Sequence, residues 1–164
     1  MTGHTSVMAI TAEKPGYQAL RRGRCSLPGQ IYLLTAVTHN REALFSDWSA
    51  ASTAASIISS PELWKEARLL CWVLMPDHWH GVVELGESES LGDLMQTVKG
   101  HSSRHVNLVL KRREPVWMAG FHDRALRCEE NLVEVARYVV ANPVRAGLVR
   151  RAGDYPYWDA IWLP

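Results

Sequence analysis

The chain has 164 residues, 47% hydrophobic and 21% charged, which suits one globular domain with a sizeable core. Its formal net charge of +1 is unevenly spread: residues 1–95 carry 7 Lys/Arg against 10 Asp/Glu, and residues 96–151 carry 11 against 5. The longest apolar run, Leu69 to Met75, excludes a membrane-spanning helix, no signal-peptide pattern opens the chain, and Cys25, Cys71 and Cys128 form no CxxC pair, so the expectation is a cytoplasmic protein with reduced thiols.

Residues 1–26 lack periodicity and carry the basic cluster "RRGRC", the pattern of an N-terminal arm. Pro28-Gly29 makes a turn, and "QIYLLTAVT" (30–38) is β-branched and aromatic enough for a strand. Asp47 is placed to cap a helix through "WSAASTAASIISS" that Pro61 stops. "ARLLCWVLM" (67–75) reads as a buried strand, Met75-Pro76-Asp77 as a short break, and His78 to Leu85 as the next strand. Leu91, Leu94, Met95, Val98, Ser102, His105 and Val109 recur at helical spacing, giving a long amphipathic helix that ends near "LKRREP".

"GFHDRALR" (120–127) reads as a short extended segment and "CEENLVEVARYVVANP" (128–143) as the last helix, closed by Pro143. Residues 151–164, with Tyr155, Tyr157, Trp158 and Trp162, read as a tail packed back on the body. The order β-α-β-β-α-β-α, with central strands joined by a tight turn and helices on one side, predicts an α+β fold: a ferredoxin-like antiparallel sheet packed by helices.

One stretch stands out chemically. In "LMPDHWHGVVEL" (74–85), His78 and His80 are two residues apart on a strand and project from one face, with Trp79, Gly81 and Val83 on the other. Two imidazoles so placed can share a metal ion if a third ligand arrives from elsewhere. The alternative is two hydrogen-bonded histidines on a half-buried strand. HExxH, HxHxDH and cysteine-pair metal patterns are all absent from the chain. On the last helix, Tyr138 and Asn142 are four residues apart, so a phenol and an amide are presented together beside the stripe of Leu132, Val135, Ala136 and Val139. An interfacial tyrosine and a capping asparagine would give the same pattern.

"CWVLMPDHWHGVVEL", then "WMAGFHDRALR", then "ARYVVANPVRAGLV", in that order, resemble the HUH single-strand DNA transposases that use one tyrosine, most closely the REP-associated tyrosine transposases. The resemblance runs from about Leu27 to Trp158 and implies a catalytic domain over residues 27–150. It implies a metal-dependent nuclease and strand-transferase that acts on single-stranded or hairpin DNA from palindromic repeats through a 5′-phosphotyrosine. It further implies that Tyr138 is the nucleophile and that His78, His80 and Asn142 hold Mg²⁺ or Mn²⁺. Relatives of this kind occur as monomers and as homodimers, so either state is expected.

Two positions depart from the family pattern: Asp77 where many relatives have Asn, and Leu33 in place of a common histidine. Phosphate contacts are expected from Lys99, Arg104, Lys111, Arg112, Arg113, Arg124 and Arg127, with Arg21, Arg22 and Arg24 reaching a hairpin as an arm. The seven tryptophans are expected mainly in the core. The competing reading is a ferredoxin-like module that binds nucleic acid without cleaving it; the chain lacks the RNP-type aromatic signature of its RNA-binding version.

Overall fold

The first strand, β1 (Ile31–Val37), alternates half-buried and buried residues along its whole length, as the period of two in its sequence requires. The computed structural model describes residues 29–163, so the arm with Arg21, Arg22 and Arg24 lies outside the described residues. Asp47 does cap the first helix, α1 (Trp48–Ile58), its carboxylate accepting the Ala50 N–H at 2.8 Å. Next come β2 (Arg68–Met75) and β3 (His78–Glu84), antiparallel and joined only by Pro76-Asp77.

Ser90 caps the long helix α2 (Leu91–Leu110), whose buried side chains include Leu91, Leu94, Met95, Val98 and Ser102. Ser102 is the one polar residue buried there, whereas His105 is half-buried and Val109 exposed; Ser102 donates to the Val98 carbonyl and accepts from the Trp117 indole at 2.9 Å. Four further elements complete the chain: β4 (His122–Ala125), α3 (Leu132–Val140), the one-turn α4 (Asn142–Arg145) and β5 (Trp158–Ala160).

The strands form one antiparallel sheet in the order β4-β1-β3-β2-β5. The first four follow the ferredoxin-like order, and β5 extends the β2 edge. The segment read as a packed tail therefore supplies a strand, pairing Trp158 with Val73 and Ala160 with Cys71. Helices α1 and α2 bury Ala54, Ile58, Leu94 and Val98 against Tyr32, Leu34, Leu74, Trp79 and Val83 on one face.

The opposite face carries Cys71, Val73, Met75 and Val82, covered by Ala136, Val139 and Val140 of α3. The helices are thus divided between both faces rather than gathered on one, because each apolar side of β2 and β3 needs its own cover. Trp64, Trp72, Trp79 and Trp117 are buried in the first layer, whereas Trp48 is exposed. Among the described residues no helix is long and apolar enough to cross a membrane.

Candidate functional site

β3 is a central strand, and the residues beside its histidines are fixed by register. His78 lies opposite Val37 of β1 and Met75 of β2; His80 lies opposite Thr35 and Val73. Both histidines share the face of Val82, the one covered by α3, while Trp79 and Val83 join the other layer. A Cβ built on Gly81 would land on the Trp79 ring, so glycine lets the indole lie flat along its own strand. That packing holds the backbone between the two histidines.

The two imidazoles stand edge to face, with centroids 4.7 Å apart. Each is oriented through Nδ1: His80 by Thr35 Oγ1 at 2.8 Å and His78 by Asp77 Oδ1 at 2.6 Å. An imidazole held through Nδ1 presents Nε2 on its opposite edge, the arrangement found for metal-ligating histidines. Asp77, the departure from the family pattern, thus supplies an orienting carboxylate and also faces Arg41 at 3.6 Å. Its own backbone is pinned, because the Asp77 carbonyl accepts the Thr38 N–H at 2.9 Å. Burial pushes the His80 imidazolium down to about 4, helped by the nearby His78 and Arg145 charges and opposed by a hydrogen bond to the Leu34 backbone. His80 is therefore neutral at pH 7, the form that can donate a lone pair.

α3 begins at Asn131, whose side-chain oxygen accepts the Val133 and Glu134 N–H groups. The helix thus starts four residues later than its sequence pattern suggests, because Asn131 satisfies its free donors. Pro143 does not close it. The chain turns at Ala141 and continues as α4, with proline in the first turn, where a missing N–H costs nothing.

Tyr138 is 63% exposed, the only exposed tyrosine among the described residues. Tyr32 is buried, and the Tyr155 hydroxyl donates to the Leu74 carbonyl at 2.7 Å. Asn142 is half-buried and donates from Nδ2 to the Val139 carbonyl at 2.7 Å, leaving Oδ1 as its remaining polar atom. Arg145, which the sequence reading passed over, lies across the Tyr138 ring, its guanidinium carbon 3.9 Å from the centroid.

The basic residues divide into two groups. The Lys99 ammonium donates to the Met118 and Gly120 carbonyls, tying α2 to the approach to β4. Arg112 pairs bidentately with Glu42 at 3.1 Å, which holds its guanidinium above the usual range, with a smaller contribution from Glu114. Arg124 grips both oxygens of Glu130. Arg104, Lys111, Arg113 and Arg127 are exposed. A cleft of about 320 Å³ opens beside the histidine face; its lining includes Thr35, Val37, His39, Asn40 and His122. Thr35 could be placed on the histidine face from the alternation of β1, but its pairing with His80 depends on a register the sequence does not display.

Residues 27–141 match the family described as "Transposase IS200 like". Among solved structures, a REP-associated tyrosine transposase bound to a REP hairpin is similar with a TM-score of 0.63 at 19% identity, over 82% of this chain and 79% of that one. A protein from Deinococcus radiodurans R1 assigned as a transposase is similar with a TM-score of 0.51, again at 19% identity, over 73% of this chain and 95% of that one. No curated protein matches the sequence. At such identity the solved structures speak for the α+β fold, and the family match, spanning most of the chain and both the histidine strand and the tyrosine helix, establishes that the protein belongs to the IS200-like transposases.

Proposed function

We propose that this transposase is a metal-dependent endonuclease that cuts and rejoins single-stranded or hairpin DNA through a 5′-phosphotyrosine on Tyr138. The observation that carries the reading is the histidine pair, each ring oriented through Nδ1, on the sheet face covered by the helix that bears Tyr138. The residues fit a divalent cation. His80 is neutral at pH 7, the donor set contains no thiolate, and the Asn142 amide offers an oxygen. Among the described residues no three His, Cys, Asp or Glu side chains cluster as a metal site, so the remaining ligands would be amide or phosphate oxygens. That donor set suits Mg²⁺ or Mn²⁺, and the ion, when bound, would polarise the scissile phosphate.

The chain's own residues do the rest. A tyrosine phenol is a weak nucleophile at neutral pH, so its oxygen has to be held close to phosphorus and in line with the leaving group. Attack forms the bond from Tyr138 Oη to phosphorus and breaks the bond from phosphorus to the 3′-oxygen. The phenol proton is lost to solvent, and the departing 3′-oxygen takes one up. The phosphodiester energy is kept in the tyrosine ester, so the 3′-hydroxyl can reverse the step and join strands without ATP.

Arg104, Lys111, Arg113 and Arg127 are exposed and suited to phosphates, and the cleft beside Thr35 is wide enough for part of a nucleotide. A hairpin is the ligand of the similar solved transposase, and the same class of DNA is proposed here. The test is nicking of a tailed hairpin and of the matching perfect duplex with Mg²⁺ or Mn²⁺. His78→Ala or His80→Ala should abolish nicking of the hairpin while leaving cooperative unfolding. Full activity in the double variant, or equal cutting of duplex and hairpin, would refute the proposal.

A further inference from the structure

Tyr138 projects from α3 with its ring largely in solvent, so apolar packing does little to set the direction of its hydroxyl. One side chain reaches back to it. Arg145, seven residues on and across the break at Ala141, donates from Nη1 to the Tyr138 carbonyl at 2.7 Å. Its guanidinium carbon also sits 3.9 Å from the centre of the Tyr138 ring. A planar guanidinium can do both at once, lying against the aromatic face while donating to the backbone of the same residue. The two contacts tie the ring to its own main chain.

From this geometry we infer that Arg145 is a positioning residue that clamps the Tyr138 ring in the orientation needed for attack on the scissile phosphate. The inference rests on Tyr138 being the nucleophile. It explains why α4 follows α3 directly: the turn at Ala141 and the short helix through Pro143 bring residue 145 back over residue 138. Lysine would keep the charge but could not present a flat face and a lateral donor together.

The test combines a spectrum with a rate. In metal-free protein with ¹³C-labelled tyrosine rings, the Tyr138 resonance is identified by its loss in Tyr138→Phe. Arg145→Ala should move it to the position of a freely rotating tyrosine. With Mn²⁺ and a pool of hairpins carrying randomised single-stranded tails, Arg145→Ala and Arg145→Lys should form the covalent adduct about 10- to 100-fold more slowly. Metal-free affinity for the same pool should stay within about twofold. An unmoved Tyr138 resonance, a wild-type rate, or a loss of DNA affinity that accounts for the whole loss of rate would each overturn the clamp. Failure of the underlying reading looks different: Tyr138→Phe would then cut like wild type even though Arg145→Ala still shifts the ring resonance.

Discussion

At His80, burial, the neighbouring His78 and the Arg145 guanidinium all disfavour the protonated ring, and the displacement from 6.5 to about 4 has a thermodynamic consequence. Between those two values the unfolded chain takes up a proton that the folded one does not, so unfolding is favoured as pH falls. The contribution is flat above 6.5 and is lost progressively toward 4. Denaturant titrations of metal-free protein should therefore show stability dropping from pH 7 to pH 5, with a shallower drop in His80→Asn. Thr35 and Asp77 orient the two rings, and loss of such support typically weakens metal binding about 10- to 100-fold. Thr35→Val and Asn142→Ala should each do so in a calorimetric Mn²⁺ titration; affinities equal to wild type would remove those residues from the site. The alternation of the strand revealed the histidine pair, but Thr35 required the register with β1 and Arg145 required the turn between α3 and α4. Neither is a periodic feature of the sequence.

Among the elements, β3 is the most constrained. The Trp79 ring occupies the space a side chain at position 81 would need, so Gly81→Ala forces either the indole or the strand to move. Overpacking of this kind costs about 1–3 kcal/mol, to be read from urea unfolding, and it should also weaken Mn²⁺ binding because His80 is adjacent. Removing the Asn131 cap costs about 1 kcal/mol. Asn131→Ala should accordingly lower stability by that amount while leaving the sheet intact by circular dichroism.

Strong local signals made β1, β2, β3, α1 and α2 legible, through alternation, long apolar runs, helical spacing and the capping side chain at Asp47; the Ser90 cap of α2 emerged only with the structure. β5 was not, because three residues among aromatic neighbours carry no period; its pairing with β2 is a tertiary choice. The placement of α3 on the far face was equally hidden, since an apolar stripe shows that a helix packs but not against what.

For the whole molecule, the uneven charge in the sequence becomes a mixed set once the fold is seen. Lys99, Arg112 and Arg124 bond to carbonyls or carboxylates of the protein, Arg124 while itself exposed; Arg104, Lys111, Arg113 and Arg127 are exposed as well. Neutralising any of those four should weaken hairpin binding uniformly across DNA sequences and reduce the steepness of its salt dependence, each phosphate contact contributing about 0.7–0.9 to the logarithmic slope. A charge-neutral variant with an unchanged slope would show that the DNA lies elsewhere. Tyr138 is the group proposed to take the phosphate. That role is tested most directly by trapping the protein–DNA adduct formed with Mn²⁺, digesting it, and locating the nucleotide by mass spectrometry. DNA is expected on the peptide containing Tyr138, with no adduct in Tyr138→Phe; an adduct on Tyr155 or Tyr157, or undiminished cleavage by Tyr138→Phe, would mean that another group takes the phosphate.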